Sequence, residues 1–185
     1  MLPVHDCEGE FEMADVSIDP VRELRRPIQD GLRQLVRAAE AVLQGDAQAL
    51  ARLDEVMAYL ERDLFPHLVA EEWVIFTAVD GAFGQVGTAH IMAAFHDQLR
   101  AMAVDLQKVV RAARQAGDVG PYRRYLLPLL YGLYGAARAH FGAEDDSYLP
   151  FLESKLSEPQ VEAMVENLER VAEEARQAGK APAAR

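Results

Sequence analysis

The sequence predicts an all-α protein, an up-down-up-down four-helix bundle with an extra C-terminal helix. Two observations support this fold class. Apolar residues recur at intervals of three and four through most of the 185 residues, a pattern typical of amphipathic helices. Glycine and proline interrupt the pattern at only a few points, which predicts short turns between long helices. Helices joined by short turns pack as antiparallel neighbours, so a bundle is favoured over other helical folds.

The first two predicted helices carry their own start and stop signals. Helix one is expected to begin after Asp19-Pro20, where aspartate can cap the helix and proline fits its first turn. The glycine at Gly45 is expected to end it. A second helix follows from about 47 to 80. Pro66 is expected to kink this helix, because proline removes a backbone hydrogen bond.

The remaining helices are bounded by the same kinds of start and stop signals. The third is predicted at about 88–116 and the fourth at about 122–149. The sequence Ser157-Glu-Pro-Gln160 predicts a capping box that opens a fifth helix, which ends near Ala178. The predicted organisation is a flexible acidic arm at 1–17, a helical bundle domain at 18–178 and a frayed tail at 179–185.

The composition restricts the partners of the chain. Its formal net charge is −11 and no basic patch offsets it, which argues against binding to nucleic acid or to anionic membranes. No apolar run is long enough to span a bilayer, and the N-terminus lacks the pattern of a signal peptide. The single cysteine, Cys7, cannot form an internal disulfide. These features predict a cytoplasmic protein.

A short motif occurs twice, once in the second predicted helix and once in the fourth. The copies, HLVAEE at 67–72 and HFGAED at 140–145, align without a gap and share the order His-x-x-Ala-Glu-acid. Residues four apart lie on one face of a helix, so each copy presents an imidazole beside a carboxylate. The neighbouring residues indicate that this face is buried. Buried carboxylates are costly without a partner, and a metal ion is the partner that this mixture of side chains predicts.

The third predicted helix adds His96, which lies between Met92 and Leu99 on the apolar side. Imidazole and carboxylate together suit iron, manganese or zinc, and the lack of cysteine argues against a closed structural zinc site. Two glutamates on opposite helices can each bridge two metals, which predicts a dinuclear centre. The candidate metal ligands are His67, Glu71, His96, His140 and Glu144.

Simpler interpretations exist for each part of this set. A single His-x-x-x-Glu pair is more often a contact on a helix surface than a pair of metal ligands. His90 lies six residues before His96, which is a different helical face, so it is expected at the surface or in a turn. Glu72 and Asp145 each follow a predicted ligand. They are expected to be exposed, or to orient the ligands by hydrogen bonds.

At these residues the sequence resembles the hemerythrin-like family, also called the HHE cation-binding domain. The resemblance covers roughly residues 20–175, and its strongest stretches lie at 64–72, 92–99 and 140–152. It implies a four-helix bundle around a non-haem di-iron centre, bridged by two carboxylates and a solvent oxygen. By resemblance, the five candidate residues occupy the family's ligand positions, with Glu71 and Glu144 as the bridges.

The sequence departs from the family pattern in the first helix, where the family supplies another histidine. No residue between Asp19 and Gly45 is a histidine, and the expected position falls near 23–31, with Pro27 or Gly31 as the nearest matches. Three outcomes are open. Water fills the gap, a carboxylate such as Glu23 or Asp30 replaces the histidine, or only the metal held by His96 and His140 binds tightly.

The resemblance implies a protein that binds or senses O₂, nitric oxide or peroxide at two iron ions, or that handles iron. A di-iron peroxidase or oxidase is the alternative, and whether the protein is an enzyme stays open. A second alternative is a bundle that has lost its metal and acts through a protein partner. The oligomeric state is also open, and a homodimer is compatible with the sequence.

Overall fold

A computed structural model describes residues 16–84, 87 and 89–180, and the predicted arm and tail lie largely outside this range. Of the described residues, 88% are helical and none lies in a strand. Nine α-helices are described: α1 Asp19–Gly31, α2 Arg33–Gln44, α3 Ala49–Tyr59, α4 Phe65–Trp73, α5 Ile75–Phe83, α6 His90–Ala116, α7 Arg123–Ala143, α8 Leu149–Glu153 and α9 Glu158–Lys180. Wide π turns occupy Leu60–Leu64 and Glu144–Tyr148, and a short 3₁₀ helix occupies Gly120–Tyr122.

The first predicted helix is divided in two, because α1 and α2 meet at Leu32. Tyr59 of α3 packs into this break. Its hydroxyl donates a hydrogen bond of 2.7 Å to the carbonyl of Ile28, which an unbroken helix would use internally. Gly31 makes the approach possible, since a Cβ atom there would lie 2.2 Å from the ring of Tyr59. The end of α2 is as predicted, because Gly45 adopts φ +68° as the left-handed cap.

The second predicted helix is not one helix kinked at Pro66. The π turn at Leu60–Leu64 precedes the proline, and a further break at Val74 separates α4 from α5. In a regular helix the ring of a proline clashes with the carbonyl four residues earlier, and the wider turn relieves this contact. The carbonyl in question, that of Arg62, accepts a hydrogen bond of 3.0 Å from Arg176 Nε of α9.

The fourth predicted helix shows the same distortion near its end. Regular α geometry stops at Ala143, a π turn follows, and Pro150 is again the second residue after the turn. The fifth helix begins as predicted, since the Ser157 amide donates a hydrogen bond of 2.8 Å to Gln160 Oε1. It continues to Lys180.

Two apolar clusters form the core. The larger one lies among α2, α3, α6 and α7, and α3 and α7 each pack against both α2 and α6. The smaller cluster joins the start of α1 to α5, α8 and α9, and α9 also packs along α4. No described helix is long and apolar enough to cross a membrane. The observed architecture is therefore a helical bundle with two cores, and the candidate site lies where they meet.

Candidate metal centre

Polar residues interrupt the apolar face of four helices at one common level. On α1, Arg25 lies between Val21 of the smaller cluster and Ile28 of the larger one. On α6, His96 lies in the same way between Met92 and Leu99. The helix α4 contributes His67 and Glu71, α7 contributes His140, and Glu144 opens the π turn that follows α7. A buried polar layer is therefore enclosed between two apolar cores.

Four of the five predicted ligands form a compact group. Glu71, His96, His140 and Glu144 are fully buried, and one ligand atom from each lies within 4.8 Å of the others. His96 Nε2 and His140 Nε2 are 3.3 Å apart. Glu71 Oε2 lies 3.4 Å from the first of these nitrogens and 3.2 Å from the second, and Glu144 Oε1 lies 3.8 Å from His140 Nε2.

The spacing of these atoms fits a metal ion. A point equidistant from three atoms about 3.3 Å apart lies about 1.9 Å from each, close to the usual length of a bond between imidazole nitrogen and a first-row metal. Glu144 Oε1 is buried and accepts no hydrogen bond from any described residue, so it has a free lone pair beside this point. Imidazole and carboxylate donors suit iron, manganese and zinc.

His67 lies apart from this group. It is 8% exposed, and its Nε2 is 2.7 Å from Glu71 Oε1, the oxygen that faces away from His96 and His140. The two oxygens of Glu71 therefore have different surroundings. One faces the pair of imidazoles, and the other faces His67.

The first helix, which lacks the histidine of the family pattern, contributes Arg25 to the site instead. Its side chain is fully buried, and Nη2 donates a hydrogen bond of 2.6 Å to Glu144 Oε2. Its Nε lies 3.6 Å from Glu71 Oε1. A third carboxylate, that of Asp145, accepts a hydrogen bond of 2.8 Å from Nη1. A guanidinium thus joins the outer oxygens of both predicted bridging carboxylates.

The expected replacements for the missing histidine do not reach the site. Glu23 is exposed and pairs with Arg26 on the surface, and Asp30 is exposed beside Arg33. Pro27 is also exposed, while Gly31 faces Tyr59. Of the three outcomes left open, replacement by Glu23 or Asp30 does not match the structure, because the helix turns an arginine rather than an acid towards the core.

The second acid of each motif orients a residue from the opposite half of the chain. Glu72 accepts a hydrogen bond of 2.8 Å from His96 Nδ1 and pairs with Arg100 at 2.7 Å. Because Nδ1 donates to Glu72, a neutral His96 has its lone pair on Nε2, the nitrogen inside the site. Asp145 holds Arg25 in the same manner. Glu72 therefore contacts a predicted ligand, as one of the two expectations for these acids has it, whereas Asp145 contacts Arg25, which is not a predicted ligand.

Aromatic rings form the walls of the site. Phe76 lies against His96 with ring centroids 5.1 Å apart. Phe141 contacts His140 at 5.1 Å and His67 at 5.7 Å, and the guanidinium of Arg25 lies 5.2 Å from its centroid. Both phenylalanines are buried. They exclude water from the polar layer and strengthen the electrostatic interactions within it.

The buried carboxylates have opposite pKa shifts. Burial and the charge of Glu71 raise the pKa of Glu144 well above its ordinary value, although Arg25 opposes this shift. Burial acts in the same direction on Glu71, but the three imidazoles outweigh it and lower the pKa of that carboxyl well below its ordinary value. Glu71 is therefore the carboxylate that keeps its charge most firmly.

The histidines are also shifted in opposite directions. Burial lowers the pKa of His140. Burial has the same tendency at His96, but hydrogen bonds to Glu71 and Glu72 outweigh it and raise the pKa of this imidazole. His140 therefore presents the readier neutral nitrogen, and a metal ion would displace a proton chiefly from His96.

The sequence indicates that Arg25 is buried, but it does not indicate which residues Arg25 contacts. Arg25 lies on the apolar stripe that includes Val21, Ile28, Leu32 and Leu35, so its burial follows from helical spacing. Its partner Glu144 is 119 residues away, and no local pattern reveals that contact. His90 is exposed, as predicted, whereas His5 and Cys7 lie outside the described residues.

A comparison with protein families gives one match. The family model described as the Hemerythrin HHE cation binding domain matches residues 18–152, which is more than half of the chain and contains every candidate ligand. No curated protein and no solved structure matches the chain.

Proposed function

The chain belongs to the hemerythrin family of HHE cation-binding domains, and we propose that it binds iron at the buried cluster to bind or sense O₂, nitric oxide or peroxide. The proposed metal ligands are Glu71, His96, His140 and Glu144, with His67 as the fifth predicted ligand. The family match and the buried set of histidine and glutamate side chains support cation binding. That the cation is iron, and that the iron binds or senses O₂, nitric oxide or peroxide, is our proposal.

The observation that carries the proposal is the triangle of Glu71 Oε2, His96 Nε2 and His140 Nε2. These three donor atoms converge within 3.4 Å of one another in a layer closed by apolar cores. Such a group costs free energy if it is left without a cation. Iron suits the proposed ligands because it can deliver electrons to a bound diatomic molecule, which zinc cannot.

The residues of the chain have separate tasks in this proposal. Glu72 holds His96 so that its Nε2 faces the metal position. Phe76 and Phe141 keep water out, so that a small apolar ligand such as O₂ can compete for an open coordination position. The predicted handling of iron without such a ligand is compatible with the same residues.

We further propose that the helices form the up-down-up-down bundle implied by the family, with α9 as the additional C-terminal helix. The packing of both α2 and α6 against α3 and α7 supports this arrangement. The predicted pair of iron ions, bridged by Glu71 and Glu144, stays a prediction, and the oligomeric state stays open.

Reconstitution with ferrous iron tests the proposal. Metal-free protein is titrated with Fe²⁺ without air, freed of unbound metal, analysed for iron, and then exposed to O₂ or nitric oxide. We expect stoichiometric iron and a change in visible absorption on exposure. His96→Ala should lose iron binding, whereas His90→Ala, which changes an exposed histidine of the same helix, should retain it. A wild-type protein that binds no iron would refute the proposal.

A bundle that functions without metal is the second candidate, and Arg25 is the observation that favours it. Its guanidinium already compensates part of the buried negative charge of Glu71 and Glu144. Unchanged thermal stability on addition of Fe²⁺, Mn²⁺ and Zn²⁺ would support this candidate, because binding to the native state must stabilise it. The alternative of a di-iron peroxidase or oxidase stays a prediction, which turnover of peroxide above the rate of free iron would support.

A further inference from the structure

We propose that the site holds a single metal ion, and that the guanidinium of Arg25 takes the place of a second one. This inference rests on the proposed function, since it concerns the number of ions at the same site. It differs from the dinuclear centre that the sequence predicts. In this arrangement His67 is a positioning residue for Glu71 rather than a metal ligand.

The first argument is the division of the carboxylate oxygens. Glu71 Oε2 and Glu144 Oε1 face His140 Nε2, at 3.2 and 3.8 Å. The other oxygen of each group, Glu71 Oε1 and Glu144 Oε2, faces the guanidinium of Arg25 at 3.6 and 2.6 Å. A bridging carboxylate places one oxygen on each of two cations. Here one of the two cation positions is occupied by a side chain of the protein.

The second argument is the way in which Arg25 is fixed. The side chain is fully buried, and three carboxylates and the ring of Phe141 surround its guanidinium. Asp145 accepts a hydrogen bond of 2.8 Å from Nη1, and the carbonyl of Phe141 lies 3.5 Å from Nη2. Withdrawing the arginine would leave the buried Glu144 Oε2 without its hydrogen bond, so a second metal ion would have to displace a well-held cation.

The third argument is the charge of the cluster. Once a metal ion has displaced the protons of its ligands, Glu71, Glu144 and the partly exposed Asp145 carry three negative charges and Arg25 carries one positive charge, while Glu72 and Arg100 compensate each other. One divalent ion therefore makes the cluster neutral. A second divalent ion bound beside Arg25 would leave an excess of two positive charges in this largely buried layer, which is strongly unfavourable.

The position of His67 agrees with one ion rather than two. Its Nε2 lies 2.7 Å from Glu71 Oε1, the oxygen on the side of Arg25. The imidazole and the guanidinium thus share that oxygen. The contact of Nε2 with Oε1 lacks hydrogen-bond geometry, so His67 acts on Glu71 by packing beside this oxygen, while Oε2 lies beside His96 and His140.

Manganese is a suitable probe for counting ions. Metal-free protein is saturated with Mn²⁺, the free metal is removed, and manganese is measured per chain by elemental analysis and native mass spectrometry. Electron paramagnetic resonance then distinguishes isolated Mn²⁺ from a coupled pair. We expect one ion per chain in the wild type, with the signal of an isolated ion. Two ions in the wild type would overturn this inference and leave the proposed function standing. No bound ion would refute cation binding itself.

Substitutions of Arg25 test its part directly. Arg25→Gln removes the positive charge and offers an amide oxygen, so it should bind two Mn²⁺ ions per chain. Arg25→Lys keeps the charge and should bind one. His67→Gln should still bind one ion, whereas His96→Ala should bind none. Circular dichroism establishes that each variant is folded. A folded Arg25→Gln protein that binds only one ion would overturn the role of Arg25, and the wild-type count decides the number of ions if that variant does not fold.

Discussion

The two halves of the bundle use equivalent positions for different purposes. In each half the second helix carries the His-x-x-Ala-Glu motif, and the first helix contributes one buried polar residue, Arg25 in one half and His96 in the other. The second acid of the motif in the opposite half, here called the outer acid, accepts a hydrogen bond from each of them. Glu72 accepts from His96, and Asp145 accepts from Arg25, both at 2.8 Å.

The difference between these residues explains the asymmetry of the site. An imidazole held at Nδ1 offers a lone pair to a metal ion, whereas a guanidinium has no lone pair to offer and supplies a permanent charge. One half therefore completes the set of proposed metal donors, and the other compensates the negative charge that these donors bring. The same scaffold produces either result from a single position of the first helix.

The largest expected effect comes from removing the charge in the first half. In metal-free protein at neutral pH, Arg25→Leu should lower the free energy of unfolding by about 3–5 kcal/mol, because the buried Glu144 loses its hydrogen bond and the buried charge of Glu71 loses the guanidinium beside it. His96→Leu should cost only about 1–2 kcal/mol, because it removes the hydrogen bond to the half-buried Glu72. Urea unfolding in the presence of a chelator measures both. Equal losses would contradict the distinction between the halves.

A second difference concerns the backbone, because only the first half has a broken first helix. Gly31→Ala should destabilise the protein by roughly 1–3 kcal/mol, since the new methyl group would collide with Tyr59. Gly135→Ala on α7 is the matched control. A Cβ there meets nothing within 4 Å, so the substitution should stabilise the helix by up to about 1 kcal/mol. Thermal unfolding compares the two, and a neutral Gly31→Ala would contradict the tight contact.

The outer acids allow the comparison to be sharpened at the level of metal affinity. Glu72→Gln should raise the dissociation constant for Mn²⁺ about 10- to 100-fold, because His96 loses the charged group that fixes its Nε2 lone pair. Asp145→Asn should change it much less, since Asp145 is partly exposed and contacts Arg25 rather than a metal ligand. Isothermal titration measures both constants. The reverse order would show that the assignment of the two acids is wrong.

The smallest expected effect appears at high pH. Burial raises the pKa of Tyr59 above its ordinary value of 10.0, so the folded protein keeps the phenol proton where the unfolded chain releases it. The resulting contribution to stability is present below about pH 10 and is lost as the pH rises further. Tyr59→Phe should flatten this alkaline loss and cost about 1 kcal/mol at neutral pH for the hydrogen bond to Ile28. Tyr131→Phe, at an exposed tyrosine, serves as the control for urea unfolding between pH 8 and pH 11.

Helical spacing alone predicted the elements well, because amphipathic faces and turn residues are local signals. The ends of α2 at Gly45 and of α6 at Gly117, and the start of α9 after Ser157, follow these signals. Helix interiors were less predictable. Pro66 follows a π turn instead of kinking a regular helix, and the carbonyl of Arg62 bonds Arg176 of α9, a partner that the local sequence does not reveal.

The sequence predicted most of the side chains that meet in the candidate site, but it did not predict the buried positive charge of Arg25 beside them. The repeated motif and His96 share the spacing of an inward face, and the structure brings four of the five predicted ligands together. The first helix was expected to provide a donor or leave a gap. The role of Arg25 could not be predicted, because it depends on contacts with Glu144 and Asp145. The fold brings these two residues to Arg25 from far along the chain.

The two π turns bear on how this chain should be aligned with its relatives. Each turn contains one residue more than an α-helical path through the same space would need. A relative that lacks this residue within 60–64, or after Glu144 within the second turn, can close the turn to α geometry and keep the following helix in phase. A one-residue gap at either place in an alignment therefore does not imply that His67 or Glu144 has moved away from the core.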